Sequence, residues 1–498
     1  MPEHLRALIV ILVLASIVFA FARRPATDII SSTDFVRRRN LWFGLTLLAF
    51  LSHSFWIYAA IAFIVLLVSR LQEKNPVALF FFLLFLIPSV STEIPGFGLI
   101  NYLLALNHVR LLALAVLLPA FLVLWQRPGT LPFGRTWPDK LLAGYLVLVA
   151  MLYLRETSLT DTLRQGLYLF IDVFLPYYVV SRALRNMAGF KDALFSLVIA
   201  VLLLAIIGVF EMLRHWLLYS ALLAALDLKS GFTNYLGRID LLRASASTGH
   251  SIALGYVITV AIGFYLFLQE GVRSKIHRCL GALLLVAGLF APLARGPWLG
   301  AAALISVYIA TGRAALKRLM VLGLVGLLSL PLLAILPGGQ KVLDLLPFVG
   351  AIEAGNITYR ERLIDNSLIV IQRNPWLGSI DYRSTPEMEA MRQGQGIIDI
   401  VNTYIAVTLE SGLVGLSLFI GFFAAVLLGI RKAMRSLRDK EDEMHRLGRS
   451  LLATLIGILV MIFTVSSVTI IPVVYWSVAG LGVAYAQMVR ERMKTANG

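Results

Sequence analysis

Cysteine is almost missing from this chain: Cys279 stands alone among 498 residues, which excludes an internal disulfide and any thiolate zinc site. Charge is scarce as well, with Asp, Glu, Lys and Arg at 14% of the sequence against about 25% in a soluble domain. The sequence has no Gly-x-x-x-x-Gly-Lys-Ser/Thr phosphate loop, no Gly-x-Ser-x-Gly elbow and no paired spacing of metal ligands. ATP-driven transport and zinc chemistry therefore find no support, and no cofactor or metal is expected. A cleavable signal is not evident either. Leu5–Ala22 is apolar but has no strong basic segment before it, so it reads as a first membrane span.

What the chain has is apolar length. Hydrophobic residues make up 59% of it, and mean hydropathy is +0.83. The apolar residues come in repeated blocks of about 17–25, enough to cross a hydrocarbon core of about 30 Å. Backbone inside lipid must bond to itself, and these blocks lack the alternation of barrel strands, so they read as helices. The expected fold is an all-α, polytopic transmembrane bundle of roughly 13–15 spans with one large loop. The net charge of +16 suggests no nucleic-acid partner, because the cations cluster in short loops between spans, where topology and membrane lipid call for them.

The positive-inside bias orients the bundle. Arg127/Arg135/Lys140, Arg182/Arg185/Lys191, Arg273/Lys275/Arg278, Arg313/Lys317/Arg318, the Arg431–Arg449 run and the tail Arg490–Lys494 read as cytoplasmic. That reads as a multi-pass inner-membrane protein with its C-terminus inside. Thr92–His108, Arg155–Arg164, Arg214–His250, Arg295–Pro297, Pro337–Val401 and Ser466–Pro472 then lie outside. The divisions expected are N-terminal helices over 1–137, core helices over 138–336, a large periplasmic loop over 337–401 and C-terminal helices over 402–498. Near the N-terminus, Arg23/Arg24 with Arg37–Arg39 read as one inside loop, and Arg70 with Lys74 as another. Both fit inside if 41–69 is a hairpin of two short helices turning at Ser52-His53-Ser54; a single tilted span would put one of them outside.

The loop Pro337–Val401, of about 65 residues, is far longer than the usual connection of about 4–6. Periodicity over Ile357–Trp376 marks it as a folded cap, with helix expected around Arg360–Arg373 and Pro386–Met391. In the 214–250 loop, Trp216–Leu228 is amphipathic and is expected to lie along the membrane surface.

The outer face also gathers Arg164, Arg238, Arg243, Arg295, Arg360, Arg362 and Arg373. Any one of these can cap a helix, pair with an acid or snorkel to headgroups. Arg295 is harder to dismiss, because Leu293-Ala294-Arg295-Gly296-Pro297-Trp298 joins two spans with almost no loop. A guanidinium there is expensive unless it faces a polar cavity and an anion, and its planar fork suits phosphate. Asp172 and Glu211 lie within apolar segments, where acids are either functional or paired with a nearby Arg. His250, in Thr248-Gly249-His250-Ser251, stands at the entry to a span as a candidate base or as a structural helix start.

Four stretches together resemble the O-antigen ligase and Wzy polymerase superfamily of bacterial membrane glycosyltransferases, GT-C-like bundles with a large periplasmic loop. They are Arg243-Ala-Ser-Ala-Ser-Thr-Gly-His250, Ala294-Arg295-Gly296-Pro297-Trp298-Leu299-Gly300, Arg362 through Arg373-Asn-Pro-Trp-Leu-Gly378, and Asn402-Thr-Tyr404-Ile…Leu409-Glu410-Ser-Gly412-Leu-Val-Gly415-Leu. They occur in the family's order, and the likeness spans about Arg164–Gln487; the segment through Trp137 resembles variants linked to exopolysaccharide clusters. The resemblance implies transfer of a glycan from an undecaprenyl diphosphate-linked donor to an acceptor hydroxyl at the periplasmic face, without metal or nucleotide. It implies that Arg243 and Arg295, with Arg164 and Arg362, hold the diphosphate. Arg360, Arg373, Asn402, Tyr404 and Glu410 are then expected to serve the loop and the glycan. Membrane lipid and other polysaccharide-assembly proteins are the further partners expected.

One position departs from the family. Its ligases carry a His directly before the Asn of the last stretch, and here that residue is Val401. Either Asp399, Glu353 or His250 serves as base, or the protein does not catalyse transfer. Ligation to a lipid A core suffers most from the change, and polymerisation of repeat units less. A transporter of a small anion or glycan, and a non-catalytic component of a secretion complex, are the alternative readings.

Overall fold

The computed structural model describes every residue except 99–100, 229–236, 239–240, 336–353, 394–395, 438, 469 and 498. Most of it is helix, with two small antiparallel strand pairs, Thr92–Pro95 with Tyr102–Leu106 and Gly237–Arg238 with Leu241–Leu242. Eight described helices are long and apolar enough to cross a membrane: Glu3–Ile29, His108–Gln126, Trp137–Arg155, Met187–Arg214, Ser251–Gly271, Thr403–Ser436, Glu443–Ile462 and Ile471–Thr495. The chain is an all-α, multi-pass membrane protein. Shorter or more charged helices, including Ser32–Leu51, Phe55–Leu71, Lys275–Phe290 and Arg295–Ala310, pack between these spans. The last two have 16 residues each, or about 24 Å against a hydrocarbon core of about 30 Å. So short a pair either leaves an end inside the apolar zone or thins the bilayer around it.

Met187–Arg214 and Ser251–Leu268 are buried almost all round and form the centre of the bundle with Glu443–Ile462 and Ile471–Asn497. Small residues allow the closest approach. A Cβ added at Gly300 would lie 2.1 Å from Met461 Cγ, and one at Gly457 would lie 3.0 Å from the Gly300 carbonyl. Backbones therefore meet where Arg295–Ala310 crosses Glu443–Ile462, as in other membrane bundles built on small residues.

Two sequence expectations need correction. The Arg37–Arg39 cluster is not loop but the interior of Ser32–Leu51, and Arg23 and Arg24 lie within Glu3–Ile29. Arg38 is buried and pairs with Glu73 at 2.8 Å and Asp192 at 2.5 Å, so the cation is neutralised inside protein instead of solvated. The chain then turns at Ser52–Ser54, with His53 at φ 50°, into Phe55–Leu71. The second correction is Trp216–Leu228, whose apolar side is buried in protein instead of facing lipid. Its helical part, Leu218–Ala225, buries Leu218, Tyr219, Ala221, Leu222 and Leu223, and Tyr219 packs against Phe50.

The described part of the large loop folds as a cap. It comprises Ala354–Arg373, a 3-10 turn at Ile380–Ser384 and the short helix Pro386–Glu389, around a core that includes Leu363, Val370, Tyr382, Met388, Ile400 and Leu409. Val401, the residue at the family's His position, is half-buried and packs against that core. The cap is clasped to Thr403–Ser436 through a break in that helix. Gly412 has φ 64° and ψ −169°, and the carbonyls of Pro375 and Trp376 accept the N–H groups of Leu413 (2.8 Å) and Val414 (3.2 Å). In return Ser379 N–H donates to the Leu409 carbonyl at 2.9 Å, so the loop supplies bonds that the broken turn lacks.

Candidate functional site

Glu211 sets up one side of the site. Its fully buried carboxylate accepts the N–H groups of Leu218 (3.0 Å), Ser245 (3.1 Å) and Ala246 (2.8 Å). The segment after Arg243 is thereby tied to the end of Met187–Arg214. The acid singled out in the sequence as functional or paired is a backbone anchor, and its partners are N–H groups, not an arginine.

Ala244 N–H donates to the Ala291 carbonyl at 3.1 Å, and Arg243 Nε donates to the Pro292 carbonyl at 3.2 Å. Arg243 thus runs beside the turn that ends in Arg295, the first residue of Arg295–Ala310. Both arginines are half-buried. Each has a strained neighbour: Ala246 at φ 45° and Leu293 at φ 48° occupy the left-handed region, which costs a non-glycine residue on the order of 1–3 kcal/mol.

The far side comes from the cap and the connection after Ile462. A Cβ added at Gly296 would lie 2.6 Å from Thr464 Oγ1, so the start of the Arg295 helix presses on that connection. Arg360, on the cap, donates to the Thr464 carbonyl at 3.4 Å. Two residues on, Ser466 Oγ donates to Asp399 Oδ1, and Tyr359 OH donates to the Asp399 carbonyl at 3.1 Å. His250 stands between the two sides. Its Nδ1 accepts the Ile252 N–H at 3.2 Å and caps Ser251–Leu268. Burial and the Arg243 guanidinium push its pKa down to about 4, against the opposing pull of Asp399. The imidazole is therefore neutral, and with Nδ1 accepting, its proton sits on Nε2.

Arg243, Arg295, His250, Asp399 and Arg360 therefore share one face, where the N-termini of Ser251–Leu268, Arg295–Ala310 and Thr403–Ser436 also meet. Their dipoles add partial positive charge there.

The remaining sequence candidates stand elsewhere or do other work. Arg164 bonds Asp161 and the Tyr102 carbonyl (2.7 Å) and lies over the Tyr102 ring at 3.7 Å, so its planar fork is spent on the 92–106 hairpin. Arg373 grips Glu387 with both nitrogens and ties the cap to itself. Asn402 caps Thr403–Ser436 through the N–H groups of Tyr404 (2.9 Å) and Ile405 (3.2 Å). Tyr404 OH donates to the Leu459 carbonyl at 3.0 Å, and Glu410 accepts Tyr382 OH at 3.5 Å beside the Gly412 break. Arg362 is exposed on the cap helix, and Glu353 lies outside the described residues. Asp172 pairs with Arg110 at 2.7 Å.

Thr464 and Ser466 were not singled out by sequence. A Thr-Val-Ser-Ser run at the end of an apolar helix signals only a helix stop, and Ser466 meets Asp399 across 67 residues. Among the described residues, no group of three or more His, Cys, Asp or Glu side chains could hold a metal ion.

Residues 280–420 match the family model for O-antigen ligase. The matched stretch runs from the helix before Arg295, through the cap and Asp399, to the Gly412 break. No curated protein matches the chain. That match, over the Arg295 turn, the cap and the clasped helix, supports membership of the O-antigen ligase and Wzy polymerase superfamily.

Proposed function

We propose that the protein polymerises undecaprenyl diphosphate-linked repeat units at the periplasmic face of the inner membrane, for a surface or secreted polysaccharide. The observation that carries this reading is the tethering of Arg243 beside the Arg295 turn, across from Asp399. Two guanidiniums at one turn, with Arg243 bonded to the Pro292 carbonyl, can spread charge over both phosphates of one diphosphate, with bidentate geometry that Lys lacks.

In the transfer, an acceptor hydroxyl oxygen bonds the anomeric carbon of the donor sugar while the bond from that carbon to the diphosphate oxygen breaks. The leaving electrons settle on the diphosphate, whose charge Arg243 and Arg295 offset, an effect worth several kcal/mol in a dry site. The hydroxyl proton passes to the Asp399 carboxylate, which Ser466 orients. His250, neutral with its proton on Nε2, contributes a hydrogen-bond donor. Val401 favours a polymerase over a ligase, since an aliphatic side chain at the position where the family's ligases carry His cannot accept a proton.

The test uses purified protein in lipid nanodiscs with undecaprenyl diphosphate-linked repeat units from the host polysaccharide. A ladder of lengthened lipid-linked glycans with release of undecaprenyl diphosphate is expected. Unchanged substrate from a monodisperse preparation would contradict the assignment.

A further inference from the structure

A second polar recess lies next to this face and has no part in holding the diphosphate. It is a cavity of about 280 Å³ whose wall includes Ser89, Ser91, Asn107, Arg110, Asp172 and Pro472. Its size is close to the lower end of small-molecule sites, about 300 Å³.

Arg110 and Asp172 both line it. Arg110 Nη2 and Nε bond the Asp172 carboxylate at 2.7 and 3.1 Å, Nη1 bonds the Ala105 carbonyl at 2.6 Å, and the guanidinium lies 3.6 Å from the centre of the Tyr168 ring. Asp172 stands in Leu169–Phe174, a π-helical turn inside an otherwise α-helical run. An ion pair that only joined two helices would not need this distortion; π-turns are rare and concentrate at functional sites. The pair is also open to the recess, with side-chain exposures of 13% and 26%, unlike the Asp139–Arg182 pair, which has 0% on both sides. Hydroxyls line the rim: Asn107 Nδ2 donates to Ser91 Oγ at 3.2 Å, and Ser89 stands beside it.

The recess adjoins the candidate site at two points. Its Pro472 wall ends the connection that carries Thr464 and Ser466. Its Ser89 wall follows Pro88, whose Cβ is 3.9 Å from where a Cβ on Gly249 would sit, and Ser247 Oγ donates to the Phe85 carbonyl. Pro88 thus touches the residue next to His250.

We propose that this recess is the acceptor subsite and takes one sugar residue of the glycan that receives the transferred unit. The assignment rests on the transferase reading for its meaning, but the binding it predicts does not. Carboxylate, guanidinium, carboxamide and hydroxyl groups around a cavity of this size form the donor and acceptor set that matches a polyhydroxylated ring. A diphosphate would be repelled by Asp172, whereas sugar hydroxyls bond to it and to Arg110 alike.

The probe is a carrier-free oligosaccharide of repeat units, released from the host polysaccharide and titrated by saturation-transfer NMR onto full-length protein in nanodiscs. The wild type and Arg295→Ala should bind it equally, while Ser91→Trp, which fills the recess from its exposed rim, should weaken binding at least tenfold. Asp172→Asn should do the same at an unchanged unfolding midpoint. If the wild type does not bind, or if Ser91→Trp binds as the wild type does, the subsite assignment is wrong. Binding that meets the expectation in a protein that never lengthens donor would leave the subsite standing and refute the polymerase reading alone.

Discussion

Arg243, Arg164 and Arg373 are held by different groups. Arg164 and Arg373 end on carboxylates a few ångströms away, as a bland reading of a scattered arginine predicts. Arg243 bonds the Pro292 carbonyl through Nε, which fixes it beside the turn that leads to Arg295. Left-handed Ala246 and Leu293 next to the pair add strain that persists only where the surroundings impose it. The neighbouring His250 carries a pH signature. Its pKa is about 4 when folded and about 6.5 when unfolded, so between those values only the unfolded chain takes the proton. Stability is therefore full above about pH 6.5 and declines as pH falls towards 4, by on the order of 2–3 kcal/mol. His250→Asn keeps a good helix cap and removes the titration. Unfolding midpoints in detergent at pH 7.5 and pH 5 should drop less on acidification for this variant than for the wild type. Equal drops would show that His250 does not carry the effect.

The clasp between the cap and Thr403–Ser436 explains why two short motifs occur together. Pro375–Gly378 and Glu410–Gly412 are each glycine-ended, and the glycines are mutually required. A Cβ on Gly412 would lie 2.2 Å from the Trp376 backbone, and one on Gly378 would lie 2.5 Å from the Leu409 carbonyl, both at positive φ. Gly412→Ala should undock the cap: limited proteolysis should cut within the loop at least ten times faster, while the protein still inserts and purifies. Wild-type resistance would refute the clasp. The motifs were visible in the sequence, but their contact was not. Apolar periodicity runs unbroken from Leu409 to Leu428, and the break at Gly412 is made by bonds to a loop thirty-odd residues upstream. The same limit explains the misread segments. Arg37–Arg39 look like loop because their partners Glu73 and Asp192 are distant in sequence. Trp216–Leu228 looks like a surface helix because its pattern cannot tell lipid headgroups from Phe50 and Glu211. By contrast, the helical class, the cap and its two helices were legible, since all three follow from local hydropathy and length.

Across the whole molecule, a net charge of +16 is distributed unevenly in kind. Buried or bridged pairs such as Arg38–Glu73, Arg182–Asp139 and Lys191–Glu443 fasten helices on the face read as cytoplasmic. On the opposite face, three helix N-termini, Arg243, Arg295 and the Asp399–Ser466 pair converge, with the polar recess beside them. Such a division suits a protein whose bundle is scaffold and whose chemistry is confined to one interface. It also makes the two arginines a unit, so their losses should not add. The decisive measurement is chain lengthening by Arg243→Ala, Arg295→Ala and the double variant, at matched expression and membrane insertion. The predicted result is a fall of at least a hundredfold for either single variant, with the double variant no worse than either and Arg295→Lys only weakly restored. Near-normal lengthening by Arg295→Ala, or small losses that add in the double variant, would contradict a shared diphosphate site.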